Sequence, residues 1–398
     1  MAGRHGAPIV LAALVAASLA ACETKHPAPP PDKLVLGGAQ FADLAGWSSD
    51  RQGEALAALM RSCERLTGLG NEAALGPEAM AGRVGDWRAA CAEAATIAPD
   101  DHAAARMFFE RRFVPLAATN NGRSEGLFTG YFEPELRGSL SRAGSYSVPL
   151  YGRPADLISV DLGQFRESLR GQRIAGRLED GALRPYATRA EIEAGAIAGR
   201  APEIVWVDDP IDAFFLHVQG SGRVQLDNGE MLRVGYAAQN GHVYVPIGRE
   251  LIARGAMARE DVSMQSIRAW LLANPAEAVR VMNQNPSYVF FRPLDGEGPL
   301  GSQGVVLTPG RSLAVDRTHL ALGVPIWLDA EDPLDPNARV RRLMVAQDTG
   351  GAIRGPVRGD VFWGHGAEAA ERAGRMRSSG RYWLLLPREV GAARLAGR

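Results

Sequence analysis

Three aspartates stand where a carboxyl group could do proton chemistry. Asp316 lies in Leu313-Ala-Val-Asp-Arg-Thr318, Asp348 in Val345-Ala-Gln-Asp-Thr-Gly-Gly351, and Asp360 in Arg358-Gly-Asp-Val-Phe-Trp-Gly364. All three border apolar runs of strand length. A carboxyl beside apolar groups loses hydration of its charged form, so its pKa climbs toward ambient pH, as a general acid requires. Competing chemistries lack support. There is no HExxH helix and no P-loop, the signatures of metal-assisted hydrolysis and nucleotide binding. Asp348-Thr349-Gly350 matches the short motif of aspartic proteases, but that mechanism needs two such aspartates sharing a proton. A single copy in 398 residues would demand a homodimer, a poor fit to a chain of this length. Three cysteines and seven histidines without ligand spacing argue against zinc, and no metal or cofactor is expected.

The elements that must hold these acids divide the chain. A net charge of -1 lacks the basic footprint of a nucleic-acid binder. An apolar fraction of 46% supports a buried core, and 46 glycines with 25 prolines predict many turns and short strands. Residues 48–115 read as helical. Ser48, Ser49 and Asp50 are cap candidates before Leu56, Leu59, Met60, Cys63 and Leu66; Asp86 precedes Trp87 and Cys91; Asp100 and Asp101 precede Met107, Phe108 and Phe113. Cys63 and Cys91 could staple two neighbouring helices, or be two small buried residues. From Gly126 the pattern turns to strands: Leu127–Phe132, Ile204–Val207, Ala213–Val218, and a hairpin turning at Asp227-Asn-Gly229. His242–Ile247 alternates and then meets Pro246, which reads as an edge strand. Helices return over 263–284, with Ser263 as a cap and Asn274-Pro-Ala-Glu277 as a capping box. Strands follow at Gly304–Leu307, Val324–Leu328, Val340–Val345, Val361–Trp363 and Tyr382–Leu386. This order of helix, strand, helix and strand suggests one domain inserted into another.

At the N-terminus, Arg4 and His5 precede the apolar run Pro8–Ala21, too short for a stable bilayer-spanning helix and of signal-peptide size. It ends in Leu19-Ala20-Ala21-Cys22, which looks like a bacterial lipobox, with cleavage before Cys22 and acylation of that residue. Acyl chains there would hold the protein on a membrane, at about 0.8 kcal/mol per buried methylene. Glu23 follows in place of the aspartate known as an inner-membrane retention signal, so an outer-membrane lipoprotein facing the periplasm is expected. Residues 1–21 are then a signal peptide and 22–40 a tether, Pro-rich and extended.

Several segments in order resemble the membrane-bound lytic murein transglycosylase A family with its C-terminal three-aspartate domain. They are Gly126-Leu-Phe-Thr-Gly-Tyr-Phe-Glu-Pro134, Phe214–Gly222, Tyr236-Ala-Ala-Gln-Asn-Gly-His242, Ser263–Arg268, Gln284–Phe291 and Val345–Gly364. Together they span about residues 100–390. The resemblance implies an α+β fold, mainly β with N-terminal helices: a double-psi β-barrel from residues 41–130 and 294–398, an inserted β-domain at 131–293, and a glycan groove between them. It implies cleavage of peptidoglycan between N-acetylmuramic acid and N-acetylglucosamine, with peptidoglycan strands and a membrane as partners and no nucleic acid. By motif match Asp360 takes the catalytic position, and Asp348 and Asp316 shape the site. Tyr131, Glu133, Gln219, Ser221, Gly222 and Tyr236 are candidate sugar-binding residues, and Trp363 either stacks on a sugar or packs in the core. A peptidoglycan-binding lipoprotein without activity is the alternative. The three retained aspartates favour the enzyme.

Overall fold

The structure, a computed structural model, describes Gly3, residues 30–296 and residues 298–397. Residues 32–398 form one compact unit. The lipobox and Cys22 lie outside the described residues. Among the described residues no helix is long and apolar enough to cross a membrane.

Eight strands form the principal sheet. Six of them, Gly126–Glu133, Ser312–Val315, Pro325–Glu331, Arg339–Asp348, Arg358–His365 and Arg377–Pro387, close on themselves, because the last also pairs with the first. Two of the six pairings are parallel, Ser312–Val315 with Arg339–Asp348 and Arg358–His365 with Gly126–Glu133, and the others are antiparallel. Closure leaves these strands no open edge. It also explains their long apolar runs, since both faces find cover. Inside, the Phe128 ring is fully buried against glycines; a Cβ on Gly359 or Gly380 would come within 3.0 or 2.9 Å of that ring. Gly359 therefore serves the barrel interior.

The helices Gln52–Thr67, Val84–Ala94 and His102–Arg112 share one core with the barrel. Ala55, Leu56, Leu59, Cys63 and Leu66 form the buried stripe of the first helix. A disulfide joins Cys63 to Cys91, stapling it to the second. Buried polar bonds tie the same helix to the acid-bearing strands. Gln347 donates to Ala58 O at 2.7 Å and Ser62 Oγ at 2.9 Å, and Ser312 Oγ donates to Gln347 at 2.6 Å.

A six-stranded sheet follows the barrel strand Gly126–Glu133, running from Glu135–Ser139 to Val289–Pro293 and carrying its own core of Leu136, Leu150, Val205, Val224 and Phe291. The hairpin at Asp227-Asn-Gly229 joins two of its strands as expected, with Gly229 at φ 88°.

Several local expectations need correction. Gly304–Leu307 forms no strand, only a bridge from Val306 to Leu300, and the Asn274 side chain does not cap the helix Pro275–Met282. Ala213–Val218 is not a strand but part of the helix Pro210–Gln219. Its signals were the Asp209 cap, whose carboxylate accepts from Ile211 N at 2.7 Å, Pro210 at the first turn and left-handed Gly220 beyond the end. The run is apolar throughout because the helix packs between two clusters. Phe113 opens a strand, Phe113–Asn120, where a helix was expected to continue. His242–Pro246 forms no strand, and Val245 N donates to the Asn285 side chain at 3.1 Å. Asp50 does not cap the first helix; its carboxylate accepts from Leu343 N and Arg311 instead.

Candidate active site

Asp360 sits in mid-strand on the outer face of the barrel. Its neighbours in register are Ala314 on one side and Thr129 on the other. Because strand side chains alternate, Asp360 and Phe362 share a face while Gly359 and Val361 point into the barrel core. The partner strand repeats the pattern, bringing Thr129 and Tyr131 to the same face. An apolar floor of Tyr131, Leu307, Ala314, Ile353 and Phe362 results, with the Tyr131 and Phe362 ring centroids 5.2 Å apart.

One oxygen of Asp360 is fixed. Thr129 Oγ1 donates to Asp360 Oδ1 at 2.6 Å, and Arg358 Nη2 donates to Thr129 Oγ1 at 2.8 Å. Oδ2 has no hydrogen-bond partner among the described residues. Burial is the largest influence on this carboxyl and raises its pKa; Arg358 and the Thr129 bond oppose the rise, and the charge of Asp348 adds to it. The outcome is a raised pKa on a half-buried acid with one open oxygen.

Asp348 ends its strand beside a register shift, where Ala314 pairs with Asp348 after Leu313 has paired with Ala346. Four donors surround it. Ser302 N, Ser302 Oγ and Thr349 N reach Oδ1, and Tyr131 OH reaches Oδ2, each at 2.8 Å. Burial raises its pKa against these bonds. The bonds make it an acceptor that anchors Tyr131 and the Ser302 loop, with no proton directed outward.

Asp316 is nearly fully buried and works inward. Its Oδ1 accepts from Thr318 N at 3.0 Å and Thr318 Oγ1 at 2.7 Å, and its Oδ2 accepts from Gly355 N at 2.8 Å. Burial pulls its pKa up, yet the donors from Gly355 and Thr318 outweigh it and the pKa is lowered. It pins the loop between Asp348 and Arg358.

The candidate sugar-binding residues separate. Tyr131 joins the acid cluster. Glu133 is 1% exposed and paired with Arg233 at 2.8 Å, so it is no free groove carboxylate. Gln219 accepts from Phe132 N at 3.0 Å and so ties the helix Pro210–Gln219 to the barrel strand. Gly222 is buried, and a Cβ there would run into Leu216 and Pro134. Ser221 is half-buried at the start of its strand. Tyr236 is 50% exposed beside a bulge and keeps an open aromatic face. Trp363 packs in the core under the guanidinium groups of Arg372 and Arg342, 5.2 and 5.5 Å from its ring, which leaves no stacking platform. Thr129, Arg358 and Ser302 were not singled out from sequence. The two-residue spacing of Arg358 from Asp360 and of Thr129 from Tyr131 was the signal for the first two.

Among the described residues no group of His, Cys, Asp and Glu could hold a metal ion.

Comparison with known proteins identifies the fold and the family. The family model for the "MltA specific insert domain" matches residues 127–292, and that for the "3D domain" matches residues 311–386. A Vibrio cholerae protein named membrane-bound lytic murein transglycosylase A is 33% identical over 280 residues, 68% of this chain and 69% of that protein. The crystal structure of a membrane-bound lytic murein transglycosylase from Agrobacterium tumefaciens superimposes with a TM-score of 0.79 at 34% identity, covering 90% of this chain and 99% of the other. The E. coli MltA structure with bound chitohexaose aligns with a TM-score of 0.62 at 29% identity, covering 90% and 93%. With both family domains in order around the aspartate cluster, the chain belongs to the membrane-bound lytic murein transglycosylase A family.

Proposed function

We propose that this chain is a lytic transglycosylase that cuts the β-1,4 bond between N-acetylmuramic acid and N-acetylglucosamine in peptidoglycan, with Asp360 as acid and then base. The carrying observation is the asymmetry of that carboxyl: Oδ1 held by Thr129, Oδ2 open, pKa raised by burial. In the first step Oδ2–H protonates the bridging oxygen as the C1–O bond breaks, and an oxocarbenium-like centre develops. In the second, the 6-hydroxyl of the same muramic residue attacks C1 and gives its proton to the Asp360 carboxylate. C1–O6 forms, the acid is regenerated, and the product ends in 1,6-anhydromuramic acid with no water consumed. Ordinary glycosidases place a second carboxyl as nucleophile or base. Asp348 is the nearby candidate, but its donors commit it to holding Tyr131 and Ser302. Asp348 and Asp316 therefore shape the site.

Residues 131–293 serve in this reading as the glycan-binding insert, with Tyr236 presenting an aromatic face to sugar, and 41–130 with 294–398 as the catalytic barrel. The expected lipid on Cys22 would anchor the enzyme to the outer membrane, facing the periplasm and its polymer substrate. Mass spectrometry of fragments released from purified murein sacculi tests the chemistry. Anhydro ends are expected from the wild type. Release falling about 10²–10⁴-fold or more is expected for Asp360→Asn, the usual range for losing a general acid. Reducing ends would make it a hydrolase, and binding without release would leave a non-catalytic peptidoglycan-binding lipoprotein.

A further inference from the structure

A second polar site lies at the other edge of the barrel, where the first helix begins. Gly46, Ser49, Asp50, Arg51, Glu54, Arg311, Arg341 and Arg342 enclose a cavity of about 480 Å³. Four arginines meet two carboxylates there. Both carboxylates are already engaged. Asp50 accepts from Arg311 at 2.8 Å and from Leu343 N at 3.0 Å, and Glu54 accepts from Arg311 at 2.9 Å and Arg51 at 2.7 Å. Arg341 shares the Asp329 carboxylate, at 3.2 Å, with Arg339 and Arg381. Arg342 is left over. It is half-buried, stacks on Trp363, and has no carboxylate, carbonyl or hydroxyl partner among the described residues. Burial, and next the facing Arg311, work against its charge, and Asp50 and Glu54 offset this only in part, leaving a penalty that an incoming anion would relieve. The Ser49 hydroxyl at the rim is exposed and likewise unengaged.

We propose that this cavity binds a phosphate-bearing ligand through Arg342, Arg341, Arg51 and Ser49. Arg342 supplies an unpaired cation and Arg341 a second whose carboxylate, Asp329, is divided among three arginines, and guanidinium forks match phosphate oxygens two at a time. A neighbouring cavity of about 350 Å³ shares Gly46 and is lined by Phe41, Leu44 and Trp47 together with Ser48 and Glu110. The phosphate could come from a soluble ester or from a lipid headgroup whose acyl chains stay in the membrane. None of these residues touches the Asp360 cluster, and the proposal stands independently of the glycan chemistry.

The test uses the full chain carrying Cys22→Ser, so that no acyl group confounds vesicle binding. Calorimetric titration with inorganic phosphate at low ionic strength is expected to saturate at one site, with half-saturation at or below about 1 mM, equivalent to about 4 kcal/mol. Arg342→Gln removes the unpaired cation, and Ser49→Asp sets a repelling carboxylate at the rim; each should weaken binding at least tenfold while sacculus cleavage stays intact. Co-sedimentation with phosphatidylglycerol against phosphatidylcholine vesicles separates the sources. Selective binding displaced by phosphate marks a headgroup, and phosphate binding without vesicle binding marks a soluble ester. No saturable phosphate binding together with no preference for phosphatidylglycerol overturns the proposal. So does unchanged affinity in Ser49→Asp, a surface change that keeps the test decisive should Arg342→Gln fail to fold.

Discussion

Asp360 has two partners of opposite effect, and each yields a prediction. Burial raises its folded-state pKa, so ionising it at neutral pH costs folding stability. That cost is absent below the ordinary aspartate pKa and complete above the raised one. Asp360→Asn should therefore unfold at a higher temperature than wild type near pH 7, with the gap closed once pH has fallen to about 4. Thermal melts across pH check this, and an equal or lower melting temperature at pH 7 would contradict it. Thr129 acts in the other sense. Its hydroxyl favours the ionised carboxylate. Thr129→Val should lift the Asp360 pKa further and carry the alkaline limb of the kcat/KM profile to higher pH. The accompanying fall in kcat should be about ten- to a hundredfold, the scale of one hydrogen bond to a charged group, about 1.5–3 kcal/mol. A merely structural role for Thr129 would leave the pH profile in place.

At the scale of elements, two devices hold the site. The loop from Asp348 to Arg358 is short of regular structure, and Asp316 pins it through Gly355. The exposed Arg354, 3.8 Å from Asp316, adds little. Asp316→Ala strands the buried Gly355 donor, while the exposed Thr318 can turn to water, and should cost about 1–3 kcal/mol in urea unfolding at pH 7. Because the Asp316 pKa is lowered, its contribution exists above the ordinary carboxyl pKa and fades as pH falls through the lowered value, so the variant should approach wild type in acid. The second device is the Cys63–Cys91 bond, which closes 28 residues between the first two helices. Chain entropy alone assigns it about 3–4 kcal/mol. The double serine variant should lower the denaturant midpoint accordingly yet retain activity at 25 °C, since Gln347 and Ser62 still fasten the first helix to the barrel.

The whole molecule is a barrel continuous with a second sheet, bridged away from the chain crossing at several points. Gln219 reaches Phe132 N, Arg233 reaches Glu133, and Gln265 Nε2 donates to Ala370 O at 3.0 Å. These contacts set the insert against the strand carrying Thr129 and Tyr131, so the insert and Asp360 are positioned together. The tether belongs to this scale too. If acylation of Cys22 serves only to anchor, Cys22→Ser should release the protein to the soluble fraction and leave its turnover on added sacculi within about twofold. Fractionation with a muropeptide assay measures both, and membrane retention of the variant would point to another anchor.

Period-two alternation and apolar runs made most barrel strands legible in the residues alone, because a strand covered on both faces has few ways to be written. The ordered motifs made the family legible as well and singled out the carboxyl at 360 as the candidate acid, since each motif constrains a turn or a close approach locally. The role of each polar neighbour was not. Whether Glu133 faces a groove or an arginine, whether Gly222 meets sugar or Leu216, and whether Trp363 stacks on substrate or under guanidinium groups depends on residues 6 to 100 positions away. Ala213–Val218 misled for the same reason: an apolar run buried on two sides has no period to read, and only packing between two cores decided that it is a helix. Local chemistry names the candidate acid, and the closing of the barrel decides which of its oxygens remains free.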